Sequence, residues 1–525
     1  MQLSVLDWLV LGGYLLLVFG LGLWFSRGNG TTERYFLGGR GFPGWALGLS
    51  LVGTSISSVT FLAYPADAFK SNWMRFLPTL MLPLAVWWAA RYVLPYFRAS
   101  GATTAYEFLE QRFGTSVRVY AAAVFVIAQW VRLATVLWLL ALLLQQIIGL
   151  PPTTAIICAG LFVGIYTVAG GIEAVVWTDV IQTLTLMLGG VVCLVVVLQW
   201  LPGGIMQVFE LAWPAHKLSV GDWQQGNPQP VRWDLSLTTK TGTMLLLVGL
   251  TNWLTEYTSN QNTVQRFCAA RSDQAAHRAL WVCVATSLPL WAFYMFLGTA
   301  LWALFQVMPQ PIPDAILAGE IKAEALIPWF INTYLPSGLV GLVLAAALAA
   351  AMSSQDSGIN AISTVAVTDL YKRLVRPHAS DRHYLKAAWL MSSVSTLMMI
   401  GGALLLERAT TDTLQDVIYL LTSLLGGGLL GLYVLGIRSQ RGGAAAAWCG
   451  IGATLLFTAW MLAGRQGWLP GHWQLPFDLY YVGLLGNLLL FTLSYALATL
   501  AARRRNTASR TNQPAHQHSN QGSIK

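Results

Sequence analysis

The stretch VGTSISSVTF, residues 52–61, decides how the chain folds. Five of its ten side chains are hydroxyls (Thr54, Ser55, Ser57, Ser58 and Thr60), yet WALGLSL before it and FLAY after it are greasy enough for lipid. A spanning helix with alcohols and a glycine at mid-depth is expected to unwind there. Unwound backbone is tolerated inside a membrane only where it lines a cavity or binds a ligand. Gly53 lowers the cost of the break, and the hydroxyls re-satisfy freed amides or hold a ligand.

Outward from this stretch, the whole chain reads as an all-α membrane protein. Of 525 residues, 55% are hydrophobic and 10% charged, with 23 Trp and a mean hydropathy of +0.57. Soluble domains average about 25% charged residues. Apolar runs of about 20 residues, each able to cross a core roughly 30 Å thick, recur along the chain. The alternating ten-residue segments of a membrane β-barrel are missing. About thirteen spans are expected, near 5–25, 43–69, 77–97, 119–149, 153–169, 175–200, 241–265, 279–307, 334–360, 385–406, 416–437, 443–463 and 479–501.

The net charge of +9 does not point to nucleic acid, because the basic residues fall in alternate loops. One set holds Arg27, Arg34, Arg40, then Arg98, Arg112, Arg118, then Arg266, Arg271, Arg278, then Lys372 to Lys386, Arg438, Arg441 and Arg503 to Arg505. The other holds mainly Lys217, Arg232, Lys240 and Lys322. The positive-inside rule then puts the N-terminus outside and the C-terminus in the cytoplasm, as for a multi-pass protein of a bacterial inner membrane. The five cysteines lack CxxC spacing, so neither a disulfide framework nor a zinc site is implied. The first span lacks a basic leader region and is expected to be retained. The polar tail 503–525 is expected to be disordered. The loop 201–240 has room for at most a short interfacial helix.

Residues 43–200 and 241–437 each hold five spans, and five is odd, so the two stretches run in opposite orientation. Each opens on a polar-interrupted helix; the second carries Thr251, Asn252, Thr255, Glu256, Ser259, Asn260 and Thr263. Paired interrupted helices point to an inverted-repeat transporter. The remaining segments are 1–42 (first helix and loop), 201–240 (outer loop) and 438–502 (two further helices).

Ionisable residues inside a membrane cost at least about 2.5–3.5 kcal/mol each on insertion scales, so each needs a partner or a role. In AAAMSSQDSGINAIS (349–363), Ser353, Asp356, Ser357 and Asn360 share one helix face and Ser354 lies beside them. Hydroxyls with a carboxylate suit a hard cation; close packing of small residues is the plain alternative. Asp179 shares a face with Gln182 and Thr183, or else marks a helix start near the cytoplasm. Gln129 and Arg132 share a face of span four, too deep for the arginine to snorkel: it holds a solute anion or pairs with a carboxylate. Glu256 pairs with Arg132 or stands near an aqueous vestibule.

Together GTSISSVTF, TAYEFLEQRF (104–113), YTVAGGIEAVVWTDVIQ (166–182), NQNTVQRF (260–267) and AAMSSQDSGINAIS (350–363) resemble the sodium/solute symporter family, nearest to its bacterial sialic-acid branch. The resemblance implies a LeuT-type core of inverted five-helix repeats, with one extra helix before and two after. It implies a main Na⁺ site from backbone oxygens of Gly53, Ile56 and Ala350 with hydroxyls of Ser353 and Ser354. An additional ion site would use Asp179, Ser353, Asp356 and Ser357, with Asp356 standing where the branch has serine. Ser55, Ser57, Thr60 and Arg132 match positions that hold the solute. Thr79 replaces a glutamine and Arg75 an aromatic side chain there.

The expectation is Na⁺-coupled symport, by alternating access, of a small polar organic solute: an anionic sugar such as sialic acid or another sugar acid. A neutral sugar or polyol, or a small monocarboxylate, is the alternative. A membrane solute sensor is the rival from another class, but only a 23-residue tail follows the last span. No nucleophile–base pair, metal cluster or phosphate loop suggests an enzyme. Sodium, the solute and lipid are the expected partners, with no nucleic acid and no obligate protein partner.

Overall fold

A computed structural model describes residues 3–28, 30–224, 227–408, 428–439 and 442–511. Among the described residues, nine helices are long and apolar enough to cross a membrane, and a tenth span is a bent pair. Much of the expected span 416–437, and residues 512–525 of the expected tail, lie outside the described residues. Leu429–Arg438 remains of that span.

One of the nine, Pro152–Trp200, is 49 residues long. As a straight rod it would measure about 74 Å, more than twice the hydrocarbon core. It is not straight. Tyr166 and Gln182 would stand about 24 Å apart along such a rod, yet Gln182 Nε2 lies 3.4 Å from the Tyr166 hydroxyl. The chain folds back at Gly171, whose φ of 57° and ψ of −154° suit glycine alone, against Tyr35. The expected spans 153–169 and 175–200 are the two arms of this hairpin.

Both expected interruptions are present. Gly44–Ser55 and Ser58–Lys70 are separated at an extended Ile56, and the arms Gly44–Ser55 and Thr60–Lys70 are bent by 59°. Gly242–Ser259 and Gln261–Ala269 meet at an extended Asn260, whose Oδ1 caps the second segment by accepting from the Asn262 amide. Not every polar residue nearby serves the break. Thr251, Thr255 and Ser259 return their hydroxyls to the carbonyls four residues back, an ordinary way to seat an alcohol in a membrane helix.

The helix Leu339–Val365, which carries the serine pair, is the hub: nearly every residue in it is buried. The peripheral helix Val5–Ser26 instead turns Leu9 and Leu16 outward, as a lipid-facing helix does. The two are joined by a buried carboxylate absent from the expectations above. Asp7 Oδ1 accepts from the amides of Gly338 (2.7 Å) and Gly341 (2.8 Å), capping the hub helix from a different span.

Several expectations are corrected. Arg118 and Arg266 are not loop cations: each is 1% exposed. Arg118 pairs with Asp369 and Glu110, and Thr104 also donates to Asp369 at 2.8 Å. A cationic side chain beside a carboxylate is indistinguishable by composition from one in a loop, so charge counting misplaced both. The loop 201–240 forms the expected short helix, Gly204–Ala212, but also a hairpin, Gly221–Gln224 with Asn227–Pro230, held by Asn72 Nδ2 donating to the Gly221 carbonyl. The last helix runs from Val482 to Thr511, past the expected start of the tail at 503.

Candidate functional site

The first break and the hub helix touch. Ser353 Oγ donates to the Gly53 carbonyl at 2.8 Å and lies 3.4 Å from that of Ala350. A methyl group added at Gly53 would come within 2.9 Å of Thr183 Oγ1, so glycine is what lets the helices approach. Next to Ser353 in the helix, Ser354 Oγ is buried and has no hydrogen-bond partner among the described residues. Buried hydroxyls are almost always satisfied. An unsatisfied one is free to serve as an oxygen ligand, the part the resemblance gives Ser354. Gly53, Ala350 and Ser353 are thus gathered, with Ile56 at the break and Ser354 next to Ser353 along the hub helix.

Of the expected additional site, Asp179 and Ser357 are brought together around an internal cation, whereas Ser353 bonds the Gly53 carbonyl and Asp356 does not reach that cation. Asp179, fully buried, accepts from Arg266 Nη2 at 2.8 Å, from Ser50 Oγ at 2.5 Å and from Ser357 Oγ at 3.3 Å. The same Arg266 nitrogen donates to Ser357 Oγ at 2.6 Å. Asp356 turns to the folded-back helix, accepting from the Tyr166 hydroxyl (2.7 Å), from Thr178 Oγ1 (3.3 Å) and from the Ser357 amide (2.6 Å). Arg266 sits in NQNTVQRF, in the segment Gln261–Ala269 that follows the second break. Its position after a polar interruption was the available signal that it enters the bundle.

Beyond the first break opens a cavity of about 660 Å³. Ser55, Arg75, Thr79 and Arg132 line it, together with Glu256. Ser57, Thr60 and Gln129 are not on its wall; Thr60 and Gln129 are buried. The deep end holds Arg132, whose Nη2 is 3.4 Å from the Thr54 carbonyl. The outer end holds Lys240, with its ammonium 5.2 Å over the Tyr480 ring, and Arg75, which pairs with Asp67 beside Tyr64. Thr79 spends its hydroxyl on the Phe76 carbonyl at 2.5 Å. Arg132 and Glu256 form no ion pair among the described residues, so the pairing weighed from the sequence is not made.

Residues 35–452 match the sodium:solute symporter family. The chain belongs to that family. It is 32% identical to the sodium/sialic acid symporter SiaT of Proteus mirabilis, over 92% of each chain. It is 28% identical to the sodium/sialic acid symporter NanT of Aliivibrio fischeri, over 95% of this chain and 94% of that one. Among solved structures it superposes on a substrate-bound, outward-open Na⁺-coupled sialic acid symporter with a TM-score of 0.84 at 29% identity, covering 95% of this chain and 98% of that one. The symporter is therefore a multi-pass membrane protein whose coupling ion is Na⁺, and the oxygen cluster at the first break is its candidate site.

Proposed function

We propose that this symporter moves an anionic sugar, sialic acid or a related sugar acid, together with Na⁺ into the cell across a bacterial inner membrane. The observation that carries the reading is the pairing of two features at one break. The hub helix meets it through Ser353, next to a Ser354 hydroxyl without a hydrogen-bond partner among the described residues, and a cavity opens beside it lined by Arg132, which has no ion-pair partner among them. Sodium bound at Gly53, Ile56, Ala350, Ser353 and Ser354 would hold the halves of the broken helix at a fixed angle. Ser55, and the Thr54 carbonyl near Arg132, would then face the solute in one geometry. That is the coupling: the ion shapes the wall that the solute binds.

The architecture proposed for this role has thirteen crossings. It counts the hairpin Pro152–Trp200 twice, each broken helix once, and one crossing ending at Arg438. The N-terminus lies outside, so the cavity opens outward past Lys240. Spans two to eleven form the two inverted repeats. At the additional site, the Arg266 guanidinium supplies the positive charge between Asp179 and Ser357 that a second ion would bring. One Na⁺ per solute follows from this. Similarity to the sialic acid symporters supports the sugar acid over a neutral sugar.

Purified protein in liposomes, given an inward Na⁺ gradient and labelled sialic acid, tests the reading. Uptake and counterflow are expected with Na⁺ and lost when choline replaces it at constant pH. Uptake indifferent to Na⁺, or binding without counterflow, would overturn it in favour of an uncoupled carrier or a sensor.

A further inference from the structure

The solute cavity contains two opposite charges that do not meet. Arg132 and Glu256 both line it and both are half-buried. Among the described residues Arg132 makes one long hydrogen bond, leaving most of its five N–H donors for something in the cavity. Glu256 is differently placed. Its Oε2 accepts from Asn260 Nδ2 at 2.7 Å and its Oε1 from Thr263 Oγ1 at 2.8 Å. Both donors come from the second break and the segment after it, so they fix the carboxylate against that helix. They use one acceptor position on each oxygen, and a carboxylate offers about four in all.

A charge facing a membrane-embedded cavity is costly unless a partner offsets it. Here the guanidinium calls for an anion, and the carboxylate, from another helix, calls for hydrogen-bond donors. We infer that Glu256 is a specificity residue that accepts hydroxyl or N–H donors from the far end of a solute whose carboxylate lies on Arg132. This rests on the sugar-acid reading and narrows it. A hydroxylated monocarboxylate satisfies both charges. A plain alkanoate of the same length leaves Glu256 facing methylenes. A dicarboxylate sets a second negative charge against it, and like charges at such range repel strongly.

Three six-carbon acids separate these cases: gluconate with its hydroxyls, hexanoate without them, and adipate with a carboxylate at each end. Each is used to inhibit Na⁺-driven uptake of labelled sialic acid. In the wild type, gluconate should inhibit at concentrations about 10- to 100-fold below those of hexanoate, the worth of a charge-assisted hydrogen bond. Adipate should inhibit least. In Glu256→Gln the preference for gluconate should shrink towards parity and adipate should gain. The apparent affinity for Na⁺ should stay at its wild-type value. If Glu256 only braces the second break, all three acids shift together and their ranking holds, which overturns the inference. Should the variant fail to fold, equal inhibition by gluconate and hexanoate in the wild type overturns it alone. Absence of Na⁺-driven uptake of labelled sialic acid would instead fault the sugar-acid reading.

Discussion

Ser353 and Ser354 are neighbours of one residue type, and the structure gives them different duties. Ser353 already donates to the Gly53 carbonyl, whereas Ser354 has no hydrogen-bond partner among the described residues. Ser354→Ala should therefore leave Na⁺-free stability within about 0.5 kcal/mol of wild type, as a substitution that breaks no internal bond does. It should still weaken Na⁺ activation of uptake at least about tenfold, or 1.4 kcal/mol. Ser353→Ala should do both kinds of damage, losing about 1 kcal/mol of stability with the hydrogen bond. Thermal unfolding with and without Na⁺ reads the two apart; identical behaviour of the variants would remove the distinction. At Arg132, the planar fork matters more than the charge. Arg132→Lys should cost more than about tenfold in solute affinity, and wild-type affinity in that variant would relieve Arg132 of solute binding.

The elements carry their own consequences. The hub helix is capped by Asp7 from another span, so Asp7→Ala should cost about 0.5–2 kcal/mol, the usual worth of an N-cap. Its signature would be a lower unfolding temperature with unchanged Na⁺ affinity. On the outer loop, Lys217 is buried against the end of the first broken helix, donating to the carbonyls of Phe69 (2.7 Å) and Ser71 (2.9 Å). Burial pushes its ammonium down from the ordinary 10.5 to about 7. Between those values the unfolded chain holds the proton more tightly than the folded one. Stability should then rise with pH from about 7 to 10 and level off below 7. Lys217→Met, which keeps the stem and removes the charge, should flatten that rise in a denaturation series. A slope unchanged in the variant would assign it to other groups.

At the scale of the whole molecule, buried ion pairs tie distant parts of the chain. Arg266 links the second broken helix to Asp179 on the folded-back helix and Ser357 on the hub. Arg118 links Asp369, just past the hub helix, to Glu110. Such pairs add little net stability when intact, but removing one partner strands a buried charge at about 3–5 kcal/mol. Arg118→Ala should thus be among the most destabilising single changes. Asp369→Asn in the Arg118→Ala background should recover part of the loss, because the stranded charge is then gone. Thermal unfolding of the single and double variants in detergent checks this; additive losses would break the coupling.

Apolar run length and the hydroxyl-rich interruption by themselves determined the membrane class, the broken second span and the oxygen-bearing face at residues 353–360. These are local properties: hydrocarbon thickness fixes the length of a run, and helical period fixes which side chains share a face. The second interruption was legible for the same reason. Only the tertiary structure decided which charges meet. Arg266 and Arg118 look like loop residues from the sequence around them, and the fully buried carboxylates they meet, Asp179 and Asp369, lie 87 and 251 positions away. The Gly171 reversal leaves no break in hydropathy longer than a few residues, so its tightness was hidden. Glu256 and Arg132 were each visible as misplaced charges. That they face one cavity without touching is a matter of a few ångströms between helices, which depends on how those helices pack rather than on the sequence of either.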